Sequence, residues 1–170
     1  LWLGDREVQI VQPGRAHTKG DTVVWLPKEK VMFSGDIVEY RSALYCGDAY
    51  LGDWIGTLDA VQDFGAAKIV PGRGAALDTP QKIKDAFTGT AAFIDALYEG
   101  ADACVEEGKS LKETYKAVYA AMRPEFGDWV IFDHCMPFNV ARAYDEANGL
   151  IDPKIWTAKR DAEMWAALEG

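Results

Sequence analysis

Three short polar loops follow predicted strands and carry the residues best suited to chemistry. His17 lies in GRAHTKGD, Asp36 ends FSGD, and Arg73 lies in PGRG. A lone histidine is more often structural than a ligand, but the loops of His17 and Asp36 belong to consecutive strands. An imidazole and a carboxylate on adjacent loops can share one zinc ion at about 2.0–2.2 Å. We therefore expect His17 and Asp36 to lie close together, with Asp36 at the C-terminal end of its strand.

Arg73 is suited to a different role. A guanidinium has no lone pair and cannot ligate a metal ion near neutral pH. Its five donors form a fixed fork that matches a carboxylate or a phosphate. Two interpretations follow: Arg73 pairs with a neighbouring carboxylate such as Asp36, or it stabilises an oxyanion or clamps an anionic substrate group.

The elements that position these loops can be predicted from composition and periodicity. Four short β-branched, aromatic or alternating runs indicate strands: residues 7–12, 22–26, 31–33 and 68–70. In the first of these, Val8 and Ile10 are expected on one half-buried side. Trp54, Leu58 and Val61 recur at helical spacing and predict a helix over residues 50–64.

From residue 79 onward the pattern is helical. Thr79–Pro80 is typical of a helix start, because threonine caps the first turn and proline suits its first position. Ser110 and Glu113 form a predicted capping box, Asn148–Gly149 indicates a helix end, and Thr157 begins the last helix. The predicted class is therefore α/β, with strands first and helices after.

Composition excludes several partners. The chain has 170 residues, 49% of them hydrophobic, and a formal net charge of −9. With scattered basic residues, this charge argues against a nucleic-acid partner, which requires lysine and arginine on one face. No apolar run approaches the roughly 18 residues of a membrane span, and no signal peptide is visible, so we expect a cytoplasmic protein. The three cysteines are expected to be reduced and mostly buried.

The three motifs together resemble a known family. GRAHTKGDTVVWLP, VMFSGD and KIVPGRG, in this order over about residues 7 to 77, are similar to the second half of metallo-β-lactamase-fold hydrolases. That pattern has a His-Thr-x-Gly-Asp loop, a strand ending in Gly-Asp and a strand ending in Pro-Gly-His-Gly. The resemblance implies the second half of a four-layer αββα fold with an added C-terminal helical segment, and metals at one edge of the sheets.

The resemblance also implies roles for particular residues. His17 matches a histidine of the first metal site, and Asp36 matches the carboxylate that bridges the metals or holds the second one. Arg73 stands where the family has its last histidine, which implies one zinc ion rather than two, with Asp36 and Arg73 as catalytic residues. Tyr45 and Trp54 would border the active-site mouth beside Arg73 and contact substrate; the alternative for both is ordinary packing.

The family's leading signature, His-x-His-x-Asp-His, is absent from this sequence. We therefore expect a single domain over residues 1–170 that is incomplete at its N-terminus, with a β-rich metal-site half (1–78) and a helical tail (79–170). Its strand layer is expected to pack against another copy, as a homo-oligomer, or against a missing N-terminal half. The stretch from His134 to the end resembles the tail of a bacterial branch of the superfamily that carries PGRG.

Two functional hypotheses follow. The first is a metal-dependent hydrolase of an ester, thioester or amide bond in a small molecule. The second is a catalytically weak or metal-free binding module that retains the fold. His17 and Asp36 favour the first, whereas Arg73 and the absent signature favour the second.

Overall fold

The computed structural model describes residues 1–169, and its elements are mixed α/β. Five strands come first: β1 (Trp2–Leu3), β2 (Arg6–Glu7), β3 (Gln9–Val11), β4 (Val23–Leu26) and β5 (Val31–Gly35). Helix α1 (Leu51–Gln62) then leads to β6 (Lys68–Pro71). Four helices follow: α2 (Pro80–Glu106), α3 (Leu111–Phe126), α4 (Phe132–Ala147) and α5 (Ala158–Glu169). The predicted class and the order of its elements are confirmed.

The strands form two sheets. β1 and β2 make a small antiparallel hairpin, while the main sheet has the order β3-β4-β5-β6. Its first two pairings are antiparallel, and β5 runs parallel to β6. Because parallel strands end at the same edge of a sheet, the loops after β5 and β6 are adjacent. Those loops carry Asp36 and Arg73.

The two faces of the main sheet differ in burial. One face packs on the helices through fully or nearly fully buried side chains, which are Val23, Trp25, Met32 and Ile69. On the other, Ile10, Phe33 and Val70 are 59%, 44% and 38% exposed. These three lie in one cross-strand row that passes through Val24. That another layer covers this row stays a prediction.

One predicted strand is interrupted, which corrects the expected placement of its side chains. Residues 7–12 divide into β2 and β3, with Val8 between them. Val8 is buried and donates its amide to the Leu1 carbonyl, whereas Ile10 faces outward. Val8 and Ile10 therefore do not share one half-buried side, because the break at Val8 ends the regular alternation.

The helix boundaries follow the capping residues. Thr79 accepts a hydrogen bond from the Lys82 amide at 3.2 Å, and Ser110 and Glu113 form a reciprocal capping box. α4 ends at Ala147, before Gly149 at a φ of +87°, and Thr157 caps α5. These predictions are confirmed. The three cysteines, Cys46, Cys104 and Cys135, are free and buried, as expected.

No helix among residues 1–169 has both the length and the apolar character required to cross a bilayer.

Candidate functional site

His17 is held in one orientation by contacts on two sides. Its Nδ1 lies 2.8 Å from the carbonyl oxygen of Tyr45. Because a carbonyl oxygen can only accept, Nδ1 carries the hydrogen and donates it. The rings of Tyr45 and Trp54 stand edge-on to the imidazole, each with its centroid 6.1 Å away. Nε2 faces the Asp36 carboxylate, 3.3 Å from Oδ2.

The loop that carries His17 is closed by its own hydrogen bonds. Asp21 accepts from the Thr18 amide at 3.0 Å and from the Thr18 hydroxyl at 2.6 Å. On the other side of His17, the buried Ala16 accepts from the Tyr50 amide at 2.8 Å. Asp21 is therefore bound within the loop, and the ring of His17 is the loop's contribution to the site.

Asp36 lies against the loop that follows β6, and the contact requires glycine. A Cβ atom at Gly72 would lie 2.8 Å from the Asp36 backbone and closer still to its carboxylate. Gly74 has a φ of +97°, and a Cβ there would overlap the Tyr40 carbonyl. The two glycines of PGRG thus let this loop lie directly on residues 36–40, which places Arg73 beside Asp36.

His17 and Asp36 fit a metal ion as two of its ligands. Their facing atoms are 3.3 Å apart, and two tetrahedral zinc ligands with bonds of roughly 2.1 Å lie about 3.4 Å from one another. The hydrogen on Nδ1 leaves the Nε2 lone pair for the ion, as is usual when a backbone carbonyl orients a ligating histidine. The predicted closeness of the two residues is confirmed. Within residues 1–169, however, no group of three His, Cys, Asp or Glu side chains could hold a metal ion.

Arg73 is paired with two carboxylates. Its Nη1 donates to Glu39 Oε1 at 2.5 Å and lies 3.7 Å from Asp36 Oδ1. The Arg73 side chain remains 34% exposed, whereas that of Glu39 is fully buried. Arg73 is thus paired with neighbouring carboxylates, which agrees with the first of its two interpretations. The nearer partner, however, is Glu39 and not Asp36.

Glu39 is the residue of the site that sequence reasoning missed. Its backbone amide and carbonyl both bond the buried Thr90 hydroxyl, at 3.2 and 3.1 Å. Burial raises the pKa of the Glu39 carboxyl to about 8, and the Arg73 guanidinium offsets only part of that rise. Oε2 is buried and has no hydrogen-bond partner within residues 1–169, so it can carry the proton. The only signal in the sequence was a glutamate inside the apolar segment IVEY, three residues after Asp36.

This raised pKa makes stability depend on pH in a defined direction. A glutamate titrates near 4.3 in the unfolded chain, so between that pH and about 8 the folded state binds more protons at Glu39. The contribution of Glu39 to the stability of the folded state is fully present below about pH 4 and is lost as the pH rises through 8. From pH 6 to 8, Glu39 should lower the free energy of unfolding by about 2 kcal/mol. Urea unfolding of wild type and Glu39→Gln at both pH values measures this loss. An equal change in the free energy of unfolding between pH 6 and 8 in the two proteins would contradict it.

The two aromatic residues predicted to contact substrate lie in different surroundings. Trp54 is fully buried, and its indole nitrogen donates to the Ile37 carbonyl at 3.0 Å. The structure therefore gives Trp54 a packing role behind His17. Tyr45 is partly exposed and packs against Phe138, and burial raises the pKa of its hydroxyl to about 12. Contact of Tyr45 with substrate stays a prediction.

α4 holds the loop between Asp36 and α1. Asn139 bonds the backbone of Leu44 and Cys46, on either side of Tyr45. Arg142 donates to the Ala49 carbonyl, and Glu146 accepts from the two amides that begin α1, those of Leu51 and Gly52. The helical segment is therefore bound to the same loop that orients His17.

Comparison with known proteins shows a family similarity in the part of the chain that carries these loops. Residues 3–73 match the family model described as the metallo-beta-lactamase superfamily. The matched range contains His17, Asp36 and Arg73. Over this stretch, which is less than half of the chain, the protein is similar to the metallo-β-lactamase superfamily, and this similarity supports a metallo-β-lactamase fold.

Three of the similar proteins are named metallo-beta-lactamase type 2. The chain is 35% identical over 63 residues to that of Elizabethkingia meningoseptica, covering 35% of this chain and 25% of the relative. It is 33% identical over 70 residues to that of Pseudomonas aeruginosa, covering 41% and 28%. With the protein of Bacillus cereus the identity is 33% over 79 residues, covering 44% and 31%. The chain thus spans about a quarter to a third of the length of these relatives.

Solved structures give related similarities. A metallo-beta-lactamase from Pontibacter korlensis aligns with a TM-score of 0.48 at 26% identity, covering 56% of this chain and 44% of that one. Metallo-beta-lactamase IND-7 aligns with a TM-score of 0.48 at 24% identity, with the same coverage.

Proposed function

We propose that the protein is a metal-dependent hydrolase in which this chain supplies two ligands, His17 and Asp36, to a zinc ion. The observation that carries the proposal is the pairing of His17 Nε2 with Asp36 Oδ2 at 3.3 Å, with Nδ1 bound to a backbone carbonyl. Such an imidazole is already in the tautomer and orientation that a metal ion requires.

The chain's own residues have distinct roles in this proposal. Zinc, when bound, lowers the pKa of a bound water to about 7. Asp36 holds or orients the nucleophilic oxygen through its carboxylate. Arg73 has a partly exposed side chain with Nη1 engaged by Glu39, and its other donors can reach a developing oxyanion or an anionic group of the substrate.

The proposed substrate is a small molecule with an ester, thioester or amide bond. All three have a carbonyl that becomes an oxyanion when hydroxide attacks, and Arg73 is the cation beside the proposed ligands. The relatives are named as beta-lactamases, so a β-lactam is the amide to test first.

The test combines zinc titration with hydrolysis of a chromogenic β-lactam, an aryl ester and a thioester. His17→Ala and Asp36→Asn are each expected to abolish tight zinc binding. Mutation of a residue that only hydrogen-bonds a metal ligand typically lowers metal affinity roughly 10–100-fold, and loss of the ligand itself should lower it more. His134→Ala removes the only other histidine and should leave the zinc affinity unchanged. Equal zinc affinity in His17→Ala and wild type would refute the proposed ligand.

A second function is favoured by one observation. Arg73 contacts both Asp36 and Glu39, and within residues 1–169 no third metal-binding side chain joins the site. Because Arg73 supplies Asp36 with a cation in the absence of a metal ion, this arrangement suits a metal-free binding module. A wild-type protein that neither binds zinc nor hydrolyses the three substrates, but binds a carboxylate or phosphate compound through Arg73, would establish this second function.

A further inference from the structure

Asn139 lies beneath the carbonyl that orients His17. Its side chain is fully buried on α4. Nδ2 donates to the Leu44 carbonyl at 2.8 Å, and Oδ1 accepts from the Cys46 amide at 2.7 Å. The residue between these two bonds is Tyr45, whose carbonyl oxygen is 2.8 Å from His17 Nδ1.

We infer that Asn139 is a positioning residue for His17, acting through the backbone of Tyr45. The peptide groups on both sides of Tyr45 are fixed by a single side chain, so the Tyr45 carbonyl cannot turn without breaking one of the two bonds. His17 in turn can keep its hydrogen on Nδ1 and its lone pair on Nε2 only while that carbonyl accepts. For metal binding, this inference rests on the proposed function.

The chemistry of the position suits asparagine. The side chain must donate to one backbone carbonyl and accept from one backbone amide of the same loop. A carboxamide group has both the donor and the acceptor that this requires. Asn139→Asp keeps the acceptor for Cys46 but places a second acceptor against the Leu44 carbonyl. Asn139→Leu keeps the approximate volume but removes both bonds, which leaves two buried backbone groups unpaired. The two variants therefore release Tyr45 to different degrees.

The two histidines of the chain allow a direct test without metal. In protein labelled with nitrogen-15 at histidine, two-bond nitrogen–hydrogen spectra of the neutral rings distinguish the tautomers. In an Asp36→Ala background, which removes the carboxylate that faces Nε2, His17 is expected as the Nδ1–H form alone. Both Asn139 variants should convert it to a mixture of tautomers, more completely for leucine. His134, exposed on α4, is the internal reference for an intact helix.

A matched control separates positioning from general destabilisation. Met122 is buried in α3, outside the 42–52 loop, so Met122→Ala should lower stability and leave the His17 tautomer unchanged. In the same Asp36→Ala background, a single Nδ1–H form in folded Asn139→Asp would overturn the inference. So would tautomer mixing in Met122→Ala as large as that in the Asn139 variants. If Asn139→Leu does not fold, Asn139→Asp decides the outcome.

Zinc titration supplies a second readout. Asn139→Leu or Asn139→Asp should weaken zinc binding about 10–100-fold, as for other partners that orient a ligating histidine. If wild type does not bind zinc, the proposed function fails, while the tautomer spectra still test whether Asn139 positions His17. If wild type binds zinc and both Asn139 variants bind it equally well, the positioning role is refuted.

Discussion

Changing Arg73 to histidine is expected to raise the number of tightly bound transition-metal ions from at most one per chain in the wild type. Arg73 Nη1 lies 3.7 Å from Asp36 Oδ1, so a permanent cation stands beside the carboxylate that would hold a second ion. At an effective dielectric of about 20, a unit charge roughly 4 Å from a dication is repelled by about 8 kcal/mol. Histidine removes this repulsion and adds a neutral nitrogen ligand.

Two further variants separate the loss of charge from the gain of a ligand. Arg73→Gln removes the cation without adding an imidazole, and Arg73→Lys keeps a cation. Elemental analysis after dialysis should give more metal for Arg73→His than for Arg73→Gln, with Arg73→Lys at the wild-type value. Two tightly bound ions in the wild-type protein would contradict the prediction, because Arg73 would then have to point away from the site.

Replacing Arg142 with methionine is expected to lower the free energy of unfolding by about 3–5 kcal/mol, the usual cost of removing one partner of a buried ion pair. The Arg142 side chain is 1% exposed, and Nη2 lies 2.7 Å from Glu146 Oε2. Its donors also satisfy the carbonyls of Ala49, Leu150 and Ile151, at 2.6, 2.8 and 2.7 Å. Methionine would leave these acceptors and the Glu146 carboxylate without their cation.

Urea unfolding measures this loss, and an exposed ion pair serves as the comparison. Lys82 lies in the first turn of α2, and its Nζ is 2.7 Å from Asp78 Oδ1, with the two side chains 41% and 58% exposed. Lys82→Met should therefore change the unfolding midpoint little, because water already screens the pair. A similar midpoint for Arg142→Met and wild type would show that the network around Arg142 does not hold α4 to the loop before α1.

The elements of the site could be predicted because their signals are local. His17 and Asp36 lie at strand ends marked by glycine and β-branched residues, and the helix starts are marked by capping side chains such as Thr79 and Ser110. Spacing along the chain placed His17 and Asp36 on adjacent loops. The order of three short motifs was enough to indicate the superfamily that residues 3–73 match.

The partners of those residues could not be predicted, because they depend on contacts between distant segments. Glu39 meets Arg73 only after β5 and β6 pair in parallel, and burial then changes the protonation of Glu39. Asn139 lies more than 90 residues from the loop that it bonds. Trp54 showed helical spacing, but its burial behind His17 depends on packing.

The sequence by itself thus determined the class of fold, the starts and ends of its main helices, and the two residues proposed to bind metal. These follow from backbone preferences and side-chain types that act within a few residues. Only the tertiary structure decided that Arg73 is bound by a buried glutamate and that α4 holds the carbonyl orienting His17. Burial and hydrogen bonding set the charge and orientation of each group, and both arise only when segments far apart in the chain pack together.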